Sequence, residues 1–235
     1  MSQYLSSPIL CVVAHPDDEV LGFGATAHRL AQTGKDIRTL VICGGADKRF
    51  LGENKSVLQE QCFQASKTLN MKEPILSDFP NLNLHNIESF KIVRVIEDVI
   101  LKFKPQTIVT HSPSDLNIDH QVVSNLCLAA ARLQQRRPDY NLPKISNILF
   151  MEILSSTDWA FAKDANNFNP NFFCKINESN LKAKIKALSF YKGVERERPH
   201  PRNELTIKSL AIYRGSQCGT DFSESFQSCY SYYDN

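Results

Sequence analysis

An α/β fold is what this sequence predicts: an open, mostly parallel sheet with helices on both faces and a C-terminal αβ extension. Three observations carry that expectation. Short unbroken apolar runs recur, and the first, Ile9-Leu-Cys-Val-Val-Ala14, has the length and composition of a parallel strand buried on both faces. Stretches with helical spacing stand between such runs, as in Ile92, Val93, Ile96, Val99 and Ile100. Strand and helix alternate in the rhythm of a doubly wound, Rossmann-like sheet.

The elements follow in order. After the first strand, small and apolar residues from about Val20 to Gln32 suit a helix that Gly34 ends. Ile37 to Cys43 reads as a second buried strand closed by Gly44-Gly45, and a helix covers about Ser56 to Leu69. A short strand at Ile75 to Leu76 leads into a turn-rich segment, Asp78 to Asn86. A helix over Ile87 to Phe103 follows, stopped by Pro105. Thr107-Ile-Val-Thr110 is a strand ending at His111, and a helix runs from Asp119 to about Leu133. Beyond about Arg136 the rhythm changes. A strand near Ile145 to Leu154 precedes an Asn/Phe-rich stretch, Asn166 to Phe173, read as a lid or an extra strand. Two helices, near Glu178 to Tyr191 and Asn203 to Arg214, flank the loop Glu195 to Arg202. No repeat or linker divides the chain, so residues 1–235 read as one domain.

Composition narrows the classes. A chain of 235 residues can bury a sizeable core, and a net charge of +2 gives no global attraction to nucleic acid or to an anionic membrane. The seven cysteines form no CxxC pair and suit reduced thiols in a cytoplasmic protein. No run is long enough for a membrane span.

Chemistry gathers at two places. His15-Pro-Asp-Asp-Glu19 directly follows the first strand. Alone, it suits a helix start equally well, with proline at the first helical position and acids at the positive dipole end. Thr110-His-Ser-Pro-Ser-Asp-Leu-Asn-Ile-Asp-His120 also follows a strand and opens a helix, where Asn117 or Asp119 could cap. Topology separates the readings. Loops at the carboxyl ends of parallel strands form the ligand crevice of such a sheet, and His15, Gly44 and His111 all lie just past strand ends. Two His/Asp clusters converging there would supply three ligands, His15, Asp18 and His120, leaving a position for water. Asp17 would stand beside the metal as a free carboxylate. Gly22-Phe-Gly-Ala-Thr-Ala27 also matches a dinucleotide fingerprint, but its glycines fall too late after the strand, and close helix–sheet packing accounts for them better.

The chain resembles the PIG-L/LmbE family of zinc-dependent N-acetylglucosaminyl deacetylases. The resemblance lies in Ala14-His-Pro-Asp-Asp-Glu19, Asp115-Leu-Asn-Ile-Asp-His120, Pro199-His-Pro-Arg202, Leu210-Ala-Ile-Tyr-Arg-Gly215 and Ser223-Glu-Ser-Phe226. It implies a zinc ion (Fe²⁺ being the alternative) on His15, Asp18 and His120, Asp17 as general base, and an N-acetylated amino sugar as substrate. It also implies assembly into homo-oligomers. Many members carry a histidine, proposed to protonate the leaving amine, where this chain has Asn117. The acid is then His111, His200 or Asp17 acting twice. Asp119, beside His120, orients a neighbouring histidine or caps the helix. Arg49, Asn117 and Arg202 are the substrate-contact candidates. The competing readings are a metal-dependent amidase for a non-sugar conjugate and a non-catalytic sugar- or metal-binding protein.

Overall fold

The computed structural model describes residues 5–45, 55–161 and 167–233. Seven strands form one sheet in the order β3-β2-β1-β4-β5-β7-β6. The parallel part comprises β1 (Ile9–Val13), β2 (Ile37–Val41), β3 (Ile75–Leu76), β4 (Thr107–His111) and β5 (Asn147–Met151). β6 (Phe172–Ile176) and β7 (Phe222–Ser231) extend it antiparallel. The helices are α1 (Asp18–Gln32), α2 (Lys55–Thr68), α3 (Ser89–Phe103), α4 (Ile118–Ala131), the single turn α5 (Leu133–Arg136), α6 (Glu178–Leu188) and α7 (Glu204–Gln217).

Alternation along β1 shows why the sheet is covered on both faces. Ile9, Cys11 and Val13 join a core with residues of α1, α2, α6 and α7, whereas Leu10, Val12 and Ala14 join one with α3 and α4. Every residue of β1 and β4 is buried, so both faces had to be apolar or internally satisfied. None of the described helices is long and apolar enough to cross a membrane.

The expected elements are present with shifted ends, and the differences have local causes. α1 begins at Asp18 rather than Val20, because the acids occupy its first turn. β5 stops at Met151, after which the chain turns through Ser155, whose φ is 67°. α6 ends at Leu188, three residues before Tyr191, and α7 continues to Gln217. Of the lid-or-strand alternatives for 166–173, a strand forms at Phe172–Ile176, while residue 166 lies outside the described residues. β7 was not foreseen. Its buried stretch includes Ser223, Glu224 and Ser225, which break any apolar run. These polar groups are satisfied by distant partners: Glu224 accepts from Lys184 Nζ (2.7 Å) and from the Thr26 N–H (2.7 Å), and Ser225 donates to Glu152 (2.8 Å).

Gly22 and Gly24 lie inside α1, as the packing account requires. A Cβ at Gly22 would stand 2.5 Å from Met151 Sδ, so the helix can approach β5 only without a side chain there.

Gly215 is tighter still, because its neighbours are backbone. A Cβ there would lie 2.5 Å from the Thr220 carbonyl oxygen and 2.8 Å from the Asp221 carbonyl carbon, where α7 turns into β7. Gly215→Ala is therefore expected to destabilise by about 1–3 kcal/mol, despite alanine's better helix propensity. Calorimetry should show the melting temperature down by several degrees; an unchanged value would mean the turn repacks freely.

Candidate metal centre and active site

The strand order reverses between β1 and β4, the point at which an open α/β sheet leaves a crevice beyond its carboxyl ends. His15 and Asp18 come from the turn after β1 and the start of α1, and His120 comes from the first turn of α4, after β4. The structure brings the three together. His15 Nδ1 lies 3.2 Å from His120 Nε2 and 3.3 Å from Asp18 Oδ2, and His120 Nε2 lies 3.3 Å from Asp18 Oδ2. Tetrahedral zinc, with ligands at about 2.0–2.1 Å, holds its nitrogen and oxygen donors about 3.3 Å apart. Three donor atoms forming an almost equilateral triangle with those edges fit such a cation.

A carboxylate stands behind each imidazole. His15 Nε2 is 3.2 Å from Asp119 Oδ2, and His120 Nδ1 is 3.2 Å from Asp115 Oδ1. Asp119 is itself held by the N–H groups of Leu82 (2.6 Å) and Leu84 (3.1 Å). Asp115 accepts the Asn117 N–H (2.8 Å), the Thr157 hydroxyl (2.6 Å) and the Ser156 hydroxyl. Such outer acids fix ring orientation and raise ligand basicity.

This charge pattern favours a bound cation. Burial opposes the charged form of His15, yet hydrogen bonds to Asp119 and Asp18 outweigh it and hold its pKa well above the usual value. For His120, burial is likewise outweighed, by the Asp18 charge and the Asp115 hydrogen bond, and the pKa rises to about 9. Burial would raise the Asp18 carboxyl, but the charges of His120 and His111 bring it well below the ordinary range.

Asp17 occupies a strained position. Its φ of 108° lies outside the regions open to ordinary L-residues, and its side chain makes no capping hydrogen bond although it stands at the N-cap of α1. The carboxylate instead accepts from Arg202 Nη1 at 2.9 Å. Burial, and then the Asp18 charge, push its pKa up to about 7.

The other expected residues separate. Asn117 caps α4, its side chain accepting the Asp119 N–H at 2.9 Å, which frees the Asp119 carboxylate for His15. Arg202 bonds to Asp17 and also, through Nε, to Ser155 Oγ (2.8 Å) and the Leu154 carbonyl (3.3 Å). His200 sits in the same loop, with Nδ1 accepting the Arg202 N–H at 3.1 Å. Arg49, with Asp47 and Lys48, lies outside the described residues.

His111 is fully buried and stacked on His120, with ring centroids 3.9 Å apart. Its Nε2 accepts the Ala14 N–H at 2.8 Å, so that nitrogen carries no proton, and burial followed by the His120 charge lowers the pKa to about 3. The proton-donor role open to His111 in the sequence therefore has no proton on the side facing the triad.

Sequence reasoning gave no role to Asp115, Glu19, Ser156 or Thr157. Asp115 had a usable signal, an acid five residues before a candidate ligand histidine on one strand-end loop. The hydroxyls of Ser156 and Thr157 had none, since they reach Asp115 only through the fold.

The model of the family described as PIG-L, GlcNAc-PI de-N-acetylase, matches residues 10–131, more than half of the chain. The protein belongs to the PIG-L family. A diacetylchitobiose deacetylase from Thermococcus kodakarensis is 21% identical over 227 residues, covering 93% of this chain and 82% of that protein. The solved N,N'-diacetylchitobiose deacetylase of Pyrococcus horikoshii superposes with a TM-score of 0.75 at 17% identity, over 94% of this chain and 83% of that one. GalB, the 4-carboxy-2-hydroxymuconate hydratase of Pseudomonas putida KT2440, shares the fold nearly as closely. Its TM-score is 0.74 at 17% identity, over 97% and 98% of the two chains. The fold by itself therefore does not select a reaction.

Because the surrounding carboxylates raise the proton affinity of His15 and His120, protons compete with a cation for their ring nitrogens. Binding is expected to release protons and to tighten as pH rises from about 6 towards 9. Titration calorimetry in two buffers of different ionisation enthalpy measures that release, and an affinity independent of pH would contradict it.

Proposed function

We propose that this PIG-L family member is a metal-dependent deacetylase that hydrolyses the N-acetyl group of an amino sugar, releasing acetate, with residues 1–235 acting as one deacetylase domain. The observation that carries the reading is the donor triangle of His15, Asp18 and His120 with the neighbouring Asp17 carboxylate, which caps no helix and is held by Arg202. Two imidazoles and one carboxylate suit zinc and also accept ferrous iron. When bound there, such an ion supplies Lewis acidity, lowering the pKa of water and polarising the acetyl carbonyl.

The chain's own groups supply the rest. Asp17, released from helix capping, is the carboxylate available to take a proton from the attacking water. Arg202 holds that carboxylate in place through Nη1 and is itself fixed by Ser155. The sugar amine must be protonated to leave. His200 is a poor donor at neutral pH, because burial and the charges of Arg196 and Arg202 lower its pKa. Asn117 has no acidic proton and spends its carbonyl on the helix cap. Asp17, having taken the proton, is the group placed to return it, and a carboxyl near 7 serves both steps. Asp119 and Asp115 orient the two ligand histidines and do not touch substrate.

The deciding experiment measures acetate release by metal-loaded protein from N-acetylglucosamine, diacetylchitobiose, nucleotide-linked and lipid-linked N-acetyl sugars, and non-sugar N-acyl conjugates. Acetate from at least one sugar, abolished by chelation and restored by zinc or iron, is expected; release only from non-sugar amides would move the substrate class. Asp17→Asn should lower kcat by about 10²–10⁴-fold while metal content is unchanged. Full activity in that variant would mean that Asp17 is not the base.

Arg202 gives a signed pH test. Its positive charge lowers the Asp17 pKa, so Arg202→Met should raise it, by about one unit or more. A base must be ionised to act, hence the acid limb of kcat/KM should move to higher pH. A limb that stays in place would mean that Arg202 does not act through Asp17.

A further inference from the structure

Asp17 presents a question that its role as a base does not answer: what holds a non-glycine residue at φ 108° when relaxation would let its carboxylate cap α1. The backbone N–H of Asp17 donates to Glu19 Oε2 at 3.1 Å, so the side chain two residues ahead folds back over the turn. The other oxygen of that carboxylate, Oε1, accepts the hydroxyl of Tyr191, which lies 172 residues away, just beyond α6. Glu19 and Tyr191 are each only 3% exposed, and the Tyr191 hydroxyl also meets the thiol of Cys62 on α2. A second bond closes the same turn from the neighbouring side, the His15 N–H donating to Asp18 Oδ2 at 2.9 Å.

Resting on the reading of Asp17 as the base, we propose that Glu19 and Tyr191 form a positioning pair that holds the strained Asp17 backbone, so that its carboxylate faces the donor triangle instead of capping α1. The physical argument is one of backbone restraint. An aspartate at an N-cap ordinarily accepts from the first-turn N–H groups of its own helix, as Asn117, Asn177 and Asn203 do here. At Asp17 the side chain makes no such bond; its backbone N–H is tied to a buried carboxylate, and that carboxylate is tied to a phenol anchored in the core between α1, α2 and α6. Burial makes loosening either bond costly, because it would strand a polar group without water. Tyr191 thus acts on the reaction through two other residues. It is a positioning residue, and neither it nor Glu19 touches substrate.

The test compares Tyr191→Phe, which keeps the ring and removes one hydroxyl, with Glu19→Gln, which keeps an acceptor for the Asp17 N–H and a partner for the phenol. Crystal structures of the metal-loaded variants report the Asp17 φ. Steady-state kinetics on whichever N-acetyl sugar releases acetate separate kcat from KM. In Tyr191→Phe, Asp17 is expected to leave the positive-φ region, and kcat to fall about 10–100-fold with KM and metal stoichiometry unchanged. Glu19→Gln should retain most of the rate. Should Tyr191→Phe fail to fold, Glu19→Leu carries the same comparison. The proposal is overturned if Tyr191→Phe keeps the Asp17 conformation and a kcat within about twofold of the parent, or if a lowered melting temperature accounts for the whole loss. Failure of the function itself reads differently. If Asp17→Asn retains full activity, the base assignment falls, while the Asp17 φ in Tyr191→Phe still decides whether the pair holds the turn.

Discussion

A cluster of acids around two imidazoles at the β1–β4 crossover is the constraint on which the rest of the structure depends. Asp18, Asp115 and Asp119 lie within 3.3 Å of His15 or His120 nitrogens, and all three acids are buried. That much negative charge in a dry setting is costly unless positive charge is supplied. The acids raise the proton affinity of both imidazoles; a divalent cation on the three converging donors would answer the same charge. The donor separations suit a tetrahedral ion because each ring is held from behind, by Asp119 in one case and Asp115 in the other.

The support extends well past the crevice. Asp119 draws on the backbone of the segment before α3, through Leu82 and Leu84, and Asp115 on the hydroxyls after β5, through Ser156 and Thr157. Arg202 brings the loop before α7 onto Asp17, and Tyr191 brings the turn after α6 onto Glu19. The anchors lie in three connections, β3–α3, β5–β6 and α6–α7, yet all end on the two motifs that follow β1 and β4. The loops that carry the cluster are thus tied to one another by charged and hydroxyl hydrogen bonds, not only to their own strands.

The antiparallel extension shows the opposite balance. β7 buries Ser223, Glu224 and Ser225 where a core strand ordinarily buries aliphatic side chains. Lys184 pairs with Glu224 at 2.7 Å and also donates to the Leu21 carbonyl within α1, so an ion pair joins β7, α6 and α1 in the interior. Such a strand carries no apolar run, which is why its sequence does not announce it. The same polar character locates it, since each buried group finds its partner on a different element.

How much was legible follows from range. The sequence alone determined the alternation of buried strands and helices, the two strand-end motifs and the histidines within them, because apolar runs, helical spacing and short motifs are local properties of the chain. Tertiary structure alone decided that Asn117 caps α4 while Asp17 is held away from capping α1, that His111 presents a lone pair and not a proton, and that Asp115, Ser156, Tyr191 and Arg202 share one network. Those outcomes depend on which buried polar groups must satisfy one another across as many as 185 positions of sequence, and no local pattern records such distances.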